Sequence, residues 1–264
     1  MSNLLSNKPL IISALHLPDL GAPRQPISMA WLEDYVLQNM AVFLQGGLDA
    51  VFLQDETLNA GPARPETIAI MASLGRLVRR EYPALQLGII CQAHDPIAPL
   101  AIAYASGASF VRIKVFVGAM LKAEGIKEGC GIAARDYRHS LNADDITILA
   151  DVHDRTGFPM LDVPIGVAAG WAVHRGADAL ILTGRSYDES LQLLQKVRES
   201  GVTQPLLMGG SATAEKVPEI LQYADGIIVS NALKRKNNSP EDIIQWDVDS
   251  ISRFMEAART SSQK

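Results

Sequence analysis

The chain is short of cysteine, of basic clusters and of long apolar runs, and each shortage excludes a class. Two thiols among 264 residues, Cys91 and Cys130, are too few for a disulfide framework and fit no paired metal-ligand spacing. A formal charge of -5, with Lys and Arg scattered, leaves no basic face for a polynucleotide. No stretch nears the roughly 20 apolar residues that span a bilayer. The run Leu10 to Leu17 is too short and poorly flanked for a signal peptide. These features describe a soluble, cytoplasmic chain with neither a nucleic-acid partner nor a transmembrane segment. The first predicted strand leads into His16-Leu17-Pro18-Asp19-Leu20-Gly21 rather than G-x-G-x-x-G, and no P-loop or G-x-S-x-G elbow occurs.

What is present is a repeat of turn chemistry. GGLDAVFLQ from Gly46, SGASFVRIK from Ser106, RGADALILT from Arg175 and YADGIIVS from Tyr223 each set a glycine before or beside a small or acidic residue and an apolar run. Glycine suits the left-handed residue that ends a helix, and a Val/Ile/Leu run suits a strand covered on both faces. Eight such runs are predicted: Leu10–His16, Ala50–Gln54, Leu87–Cys91, Phe110–Val115, Thr147–Asp151, Ala179–Thr183, Pro205–Met208 and Gly226–Ser230. Segments of helical period separate them, at Met29–Gln45, Pro65–Glu81, Ile97–Ser106, Val167–Arg175, Asp188–Ser200 and Ala214–Tyr223. The expected architecture is one (β/α)8 TIM barrel over 1–264, a parallel closed sheet ringed by helices, with frayed ends at 1–7 and 259–264. Functional residues belong on the loops that follow its strands.

The ends of the last two strands, Gly209-Gly210-Ser211 and Ser230-Asn231, are small enough for backbone N–H groups to approach a phosphate. The plainer alternative is that the glycines only permit tight turns. Arg112 and Lys114 stand two apart on a strand and share a face. Lys114 is either an electrophilic or Schiff-base amine or a salt-bridged residue at the mouth. Asp151 and His153, again two apart, suit a divalent metal or a proton-transfer pair in a metal-free polar pocket, with Asp55, Glu56 or Asp95 across the mouth. No resident cofactor or metal is assigned. His16 and His94 end the first and third strands as acid/base candidates or as neutral loop histidines. Arg185, after strand six, is a cation for an anionic group. The long segment 116–142, with Lys122, Glu124, Lys127 and Glu128, is a lid or a surface excursion. Trp31 and Trp246 are candidates for a homo-oligomer contact.

Taken in order, His16-Leu17-Pro18, the GGLDAV turn, Arg64-Pro65-Glu66-Thr67, Phe110-Val111-Arg112, Gly118-Ala119-Met120, Gly125-Ile126-Lys127-Glu128-Gly129, Ile148 to Val152 and Ala224-Asp225-Gly226 resemble the BtpA/SgcQ family over nearly the whole chain. The resemblance implies a barrel related to phosphate-binding members of the tryptophan-biosynthesis type. It departs at Gln54-Asp55-Glu56, where Glu-Asn is expected, at Lys114, where Asn is expected, and in the order Gly209-Gly210-Ser211. The reading is an enzyme acting on a small phosphorylated metabolite such as a sugar phosphate, by aldol-type, isomerase or related acid/base chemistry. Asp151, Lys114, Glu56 and His16 would supply the chemistry. Arg112, Gly209, Gly210, Ser211, Ser230, Asn231, Arg185, His94 and His153 would hold the substrate. The resemblance also implies two alternatives, a nucleotide phosphohydrolase and a non-catalytic assembly or regulatory factor like the photosystem I biogenesis members.

Overall fold

Eight parallel strands close on themselves in the computed structural model, which describes residues 3–6, 9–20, 27–57, 61–239 and 242–261. In chain order the elements are β1 (Leu10–His16), α1 (Met29–Gln45), β2 (Ala50–Gln54), α2 (Pro65–Glu81), β3 (Gln86–Ile90), α3 (Ala98–Ser106), β4 (Phe110–Ile113), β5 (Ala119–Lys122), β6 (Gly125–Glu128), α4 (Gly131–Ser140), β7 (Thr147–Asp151), β8 (Phe158–Pro159), α5 (Ile165–His174), β9 (Ala179–Leu182), α6 (Tyr187–Glu199), β10 (Leu206–Gly209), α7 (Val217–Ile220), β11 (Gly226–Val229) and α8 (Val248–Ser261). The barrel order is β1-β11-β10-β9-β7-β4-β3-β2, and β6-β5-β8 form a separate antiparallel sheet. The fold is a (β/α)8 barrel.

Alternation divides the strands between two cores. Ile12, Phe52, Phe110, Leu149, Ile181, Leu207 and Ile228 point inward and fill the barrel. Ile11, Val51, Val111, Ile148, Leu180, Leu206 and Ile227 point outward against the helices. Phe52 and Phe110 meet edge-on at 4.7 Å. Gly88 makes room for them, since a Cβ there would come within 2.2 Å of the Phe110 ring.

Helix limits follow local chemistry. Ser28 caps α1 by accepting from the Trp31 N–H, and Ser186 caps α6 by accepting from that of Glu189. Pro65 opens α2, where its missing N–H costs nothing. Gly47, Gly107 and Gly176 take the left-handed conformation at the turns into β2, β4 and β9. The fourth turn differs from expectation: Gly226 begins β11 itself and is small because the Leu10 carbonyl lies 2.4 Å from where its Cβ would be.

Several sequence-based limits are corrected. The run read as one helix over 214–223 is a 3-10 turn, Ala214–Lys216, followed by the four-residue α7. Within the N-terminal stretch expected to fray, Asn3–Ser6 form a 3-10 helix, and Leu4, 1% exposed, joins the inner core. At the other end α8 runs through Ser261, so 259–261 are helical. Residues 1, 2, 7 and 262–264 of the predicted frayed ends lie outside the described residues. Trp246 is 1% exposed and packs on Phe43, and Trp31 stacks on Tyr35, so neither is a free surface tryptophan.

Acidic turn residues brace the barrel's N-terminal end. Asp178 accepts from the Ile148 N–H at 2.7 Å and from Arg138, and Asp225 accepts from the Leu206 N–H at 3.0 Å and from Arg198. Each carboxylate satisfies a backbone N–H at the entry of a neighbouring strand. Asp178 and Asp225 are therefore structural clamps.

Candidate active site at the barrel mouth

The C-terminal strand ends enclose a cavity of about 730 Å3. Three walls define it. The first is β4 with the small sheet above it. Arg112 and Lys114 both face the cavity, as their spacing predicts. The Arg112 guanidinium binds Asp151 through both arms, Nε to Oδ2 at 2.7 Å and Nη2 to Oδ1 at 2.8 Å. Asp151 is 1% exposed and stands behind Arg112 rather than against the cavity. With both oxygens so engaged it fits a fixed counter-ion better than a metal ligand. Among the described residues no three His, Cys, Asp or Glu side chains converge on a metal geometry.

Lys114 donates from Nζ to Gln92 Oε1. Burial, and next the Arg112 charge, push its pKa below the usual lysine range, although Asp154 and Asp151 oppose the shift. The backbone immediately beyond is strained: Val115, β-branched and buried, has φ of 47°. The Cys130 N–H holds the Val115 carbonyl at 3.3 Å, so the turn that aims Lys114 is pinned by the chain after the hairpin. The thiol of Cys130 is pushed up to about 12 by burial, and burial likewise raises that of Cys91, so neither supplies a thiolate.

Over this wall β5 and β6 form a hairpin, and β8 adds to its edge. The segment predicted as lid or excursion is thus an ordered antiparallel sheet followed by α4. Lys122 reaches down to Asp154 Oδ2 at 2.7 Å, and Asp154 Oδ1 accepts from the Thr156 N–H and hydroxyl. Burial would raise this carboxyl, but the Lys122 and Thr156 hydrogen bonds and the Lys114 charge hold it at about 2. His94 Nε2 meets the Glu128 carbonyl at 2.8 Å, tying the sheet to the loop after β3, and burial lowers its pKa.

The second wall comes from β1 and β2. His16 and Gln54 face the cavity, whereas Glu56 lies beside them, outside its lining. His16 Nδ1 is 3.6 Å from Glu56 Oε1, which accepts from Gln54 Nε2 at 2.7 Å. Burial, then the Lys234 and Lys114 charges, lower His16 to about 4, so its imidazole is neutral at neutral pH. The Tyr35 hydroxyl donates to the His16 carbonyl, and Trp246 packs edge-on to the ring at 6.3 Å.

Opposite β4, the loops after β10 and β11 form the third wall. Gly210 and Ser211, both bordering the cavity, are successive left-handed residues with φ of 77° and 58°. The backbone N–H groups of Ser211, Ala212, Asn231 and Ala232 donate no hydrogen bond within the chain, among the described residues. The Ser230 hydroxyl donates to the Ala14 carbonyl, fixing its loop to β1. Only glycine fits at 209, because a Cβ would lie 2.1 Å from Thr183 Oγ1. That hydroxyl is buried, borders the cavity and lacks a partner among the described residues. Arg155 lies over the loop, with Nη1 3.1 Å from where a Gly210 Cβ would be.

Of the predicted residues, His16, His94, Arg112, Lys114, Gly209, Gly210, Ser211, Ser230 and Asn231 border one cavity. Asp151, Glu56, His153 and Arg185 do not. Burial lowers the His153 pKa. Arg185, expected to meet an anionic group, lies outside the lining, with its guanidinium stacked 4.0 Å over the exposed Phe158 ring. Sequence reasoning missed Gln92, Asp154, Arg155 and Thr183 as site residues. All four stand one to four positions beyond a strand, a signal that was available for every polar residue there.

A model of the BtpA family matches residues 6–260. The photosystem I biogenesis protein BtpA of Synechocystis is 28% identical over 258 residues, covering 94% of this chain and 87% of that one. The putative sgc region protein SgcQ of Escherichia coli is 25% identical, covering 97% and 96%. Among solved structures, native KDPGal superposes with a TM-score of 0.62 at 14% identity, over 96% of both chains. KGPDC from Streptococcus mutans, solved as a complex, gives 0.60 at 11%, over 95% and 97%. N-(5'-phosphoribosyl)anthranilate isomerase from Pyrococcus furiosus gives 0.54 at 12%, over 95% and 98%. These structures share the barrel, and with the family match covering all but the chain's ends, this protein is a member of the BtpA family.

Proposed function

We propose that this BtpA-family barrel is an enzyme acting on a small phosphorylated carbonyl compound, a sugar phosphate, by aldol-type or isomerase chemistry. The observation that carries the reading is the charge of the mouth. In a chain of net charge -5, Arg112, Lys114, Lys122, Lys127 and Arg155 face the cavity against Glu124 and Asp154, with Asp151 paired to Arg112 from behind, five cations to three carboxylates. Such an excess of cations costs stability unless an anion enters. The N–H groups of the β10 and β11 loops, which donate no hydrogen bond within the chain among the described residues, suit the phosphate oxygens, with Arg155 beside them.

β4 lies across the barrel from β11, three strands away in either direction around the closed order from β10 or β1. An eight-stranded barrel is about 15 Å across, and a lysine side chain covers part of that distance, leaving room for a chain of roughly four to six carbons. In the proposed reaction Lys114 Nζ adds to the substrate carbonyl and water leaves. The resulting iminium accepts the electron pair when the adjacent C–C or C–H bond breaks. The proton of the substrate hydroxyl or of that C–H passes to neutral His16 and returns to the product carbon, and water then hydrolyses the imine to release product and Lys114. A lowered pKa keeps more of the amine free for this addition. Neutral His16 exchanges hydrogen bonds with a substrate hydroxyl, and Arg112, fixed by Asp151, orients it. An isomerase named for a phosphoribosyl substrate, on this same fold, supports the substrate class. The name of the Synechocystis relative favours a second reading, an assembly factor that retains the barrel without chemistry.

A thermal-shift panel of sugar phosphates, nucleotides and inorganic phosphate tests the proposal. A native-state ligand raises Tm by mass action, by about 2.7 kcal/mol of stability at a hundredfold excess over Kd. Absence of a shift with every phosphorylated compound would discard the enzyme reading in favour of the assembly factor. Selective stabilisation by nucleotides would redirect it to phosphohydrolase chemistry.

A further inference from the structure

We propose that a second copy of this chain docks on the outer face of the small sheet and the adjoining face of α5, giving a two-fold dimer. The alternation of the sheet motivates this. Lys122 and Lys127 face the cavity, and Met120 is buried. Of the alternate residues, which point away from the barrel, Leu121 opposes Ile126 across the hairpin and Phe158 on the other side, with the exposed Glu128 at the edge beyond Ile126. Leu121, Ile126 and Phe158 are 52%, 56% and 59% exposed. A two-sided antiparallel sheet ordinarily turns its polar residues to water. Here the polar face meets the active-site cavity and the apolar face meets solvent.

The apolar row continues along the chain. Leu161 is 75% exposed, and three residues later Pro164 leads into α5, where Val167 and Trp171, one turn apart, are 47% and 44% exposed. The helix Ile165–His174 reads IGVAAGWAVH, without a charged residue before its last position. An outer barrel helix exposed to water carries a polar stripe, and this one has none. At roughly 200 Å2 for a large side chain, the six residues together leave about 650 Å2 of apolar surface open.

Area and chemistry select the occupant. A standard stable interface covers roughly 600 to 1,000 Å2 on each partner, which this face supplies. From 158 to 171 the only ionisable side chain is Asp162, and the other charges beside the patch, Glu128 next to Ile126 and Arg185 over Phe158, are of opposite sign, so its apolar centre selects no partner of one charge. It fits another uncharged apolar face, and homodimer contacts are the apolar kind, usually isologous. Trp171, rather than the buried Trp246, is the tryptophan of this contact.

Sedimentation equilibrium on the full chain at roughly 50 µM, well above the Kd of an interface this size, tests the proposal. The expected mass is twice 28.5 kDa. Leu161→Glu and, separately, Leu121→Lys should each return the single-chain mass with an unchanged far-UV circular dichroism spectrum. Both positions are exposed, so folding does not depend on them. A wild-type chain that sediments as a monomer overturns the proposal without any variant, as does a dimer that persists in both. Co-sedimentation of a monomeric wild type with anionic phospholipid vesicles would also overturn it, assigning the face to a membrane surface. Phosphate binding is read separately, so failure of the dimer leaves the functional proposal standing.

Discussion

The two ends of this barrel use the same residue types for opposite purposes. At the N-terminal end, Asp178 and Asp225 each take a strand-entry N–H and one arginine, and the interior beside them is hydrocarbon from Leu4 through Phe110. At the C-terminal end, Asp151 and Asp154 neutralise Arg112 and Lys122, yet Lys114 and Arg155 also face the cavity, and Thr183 Oγ1 lacks a partner among the described residues. Polar groups at the closed end are matched within the chain. Those at the open end are matched only in part, and the remainder is the chemistry an anionic ligand would meet.

The sharpest way to break that comparison is at Lys114. If it is the reacting amine, Lys114→Met should lower turnover by at least about 10^3-fold and abolish borohydride trapping with a carbonyl substrate. Its Tm should hold or rise, because a half-buried cation is replaced by an apolar chain of similar length. Substrate-dependent labelling of the Met variant, or a wild-type lysine unmodified during turnover, would remove Lys114 from the chemistry.

A smaller effect should separate the carboxylates of the two ends. Asp151→Asn leaves Arg112 without its charge partner and should cost about 3–5 kcal/mol, on the order of a 10 °C fall in Tm. Asp178→Asn weakens a pair whose acid is 36% exposed, and its cost should stay near 1 kcal/mol. Equal losses in the two variants, measured by denaturant titration, would mean that the closed-end clamp bears as much as the mouth pair.

Legibility in the sequence divided along the same line. The closed end was readable because a strand buried on both faces leaves an unbroken apolar run, as in β1, β2 and β7, which match their predicted limits, and a left-handed glycine marks the turns into β2, β4 and β9. The mouth was readable where side chains ride on strands, as with Arg112 and Lys114, or end them, as with His16 and Gly209. It was not readable where loops fold back. Arg185 follows a strand like the others, but an exposed Phe158 from another loop captured it, and no local pattern reports that contact. The small sheet was missed because four-residue strands of the type AMLK and GIKE show alternation too brief to distinguish from a loop. The final helix was missed through its polar end, although Ile251, Phe254 and Ala258 keep helical spacing and are buried.

The cradle can be probed without touching a charge. Gly209→Ala places a methyl 2.1 Å from Thr183 Oγ1 and should cost about 1–3 kcal/mol by overpacking, with phosphate affinity reduced at least several-fold. Thr183→Ala removes the hydroxyl, so the double variant should recover much of the stability lost by Gly209→Ala, a coupling that a double-mutant cycle reads directly. Additive losses would show that the clash is relieved by backbone movement instead.

The smallest effect concerns acid. His16 has a folded pKa of about 4 against about 6.5 in the unfolded chain, so between those values the unfolded state binds more protons. Stability from the neutral ring is therefore present above pH 6.5 and is lost as pH falls through that window toward 4. The ring is 26% exposed, and the loss should be about 1–2 kcal/mol, less than the full shift would give. Asp154 acts in a lower window: with its pKa held at about 2, its contribution disappears only as pH drops below 3.8. Comparing denaturant midpoints of wild type and His16→Asn from pH 7 to 4 isolates the imidazole, because His94 and His153, also lowered by burial, contribute equally to both proteins. The Asn variant should show the shallower slope. Parallel curves would place His16 in contact with solvent in the folded state, and the burial that lowers its pKa would then be absent from the second wall.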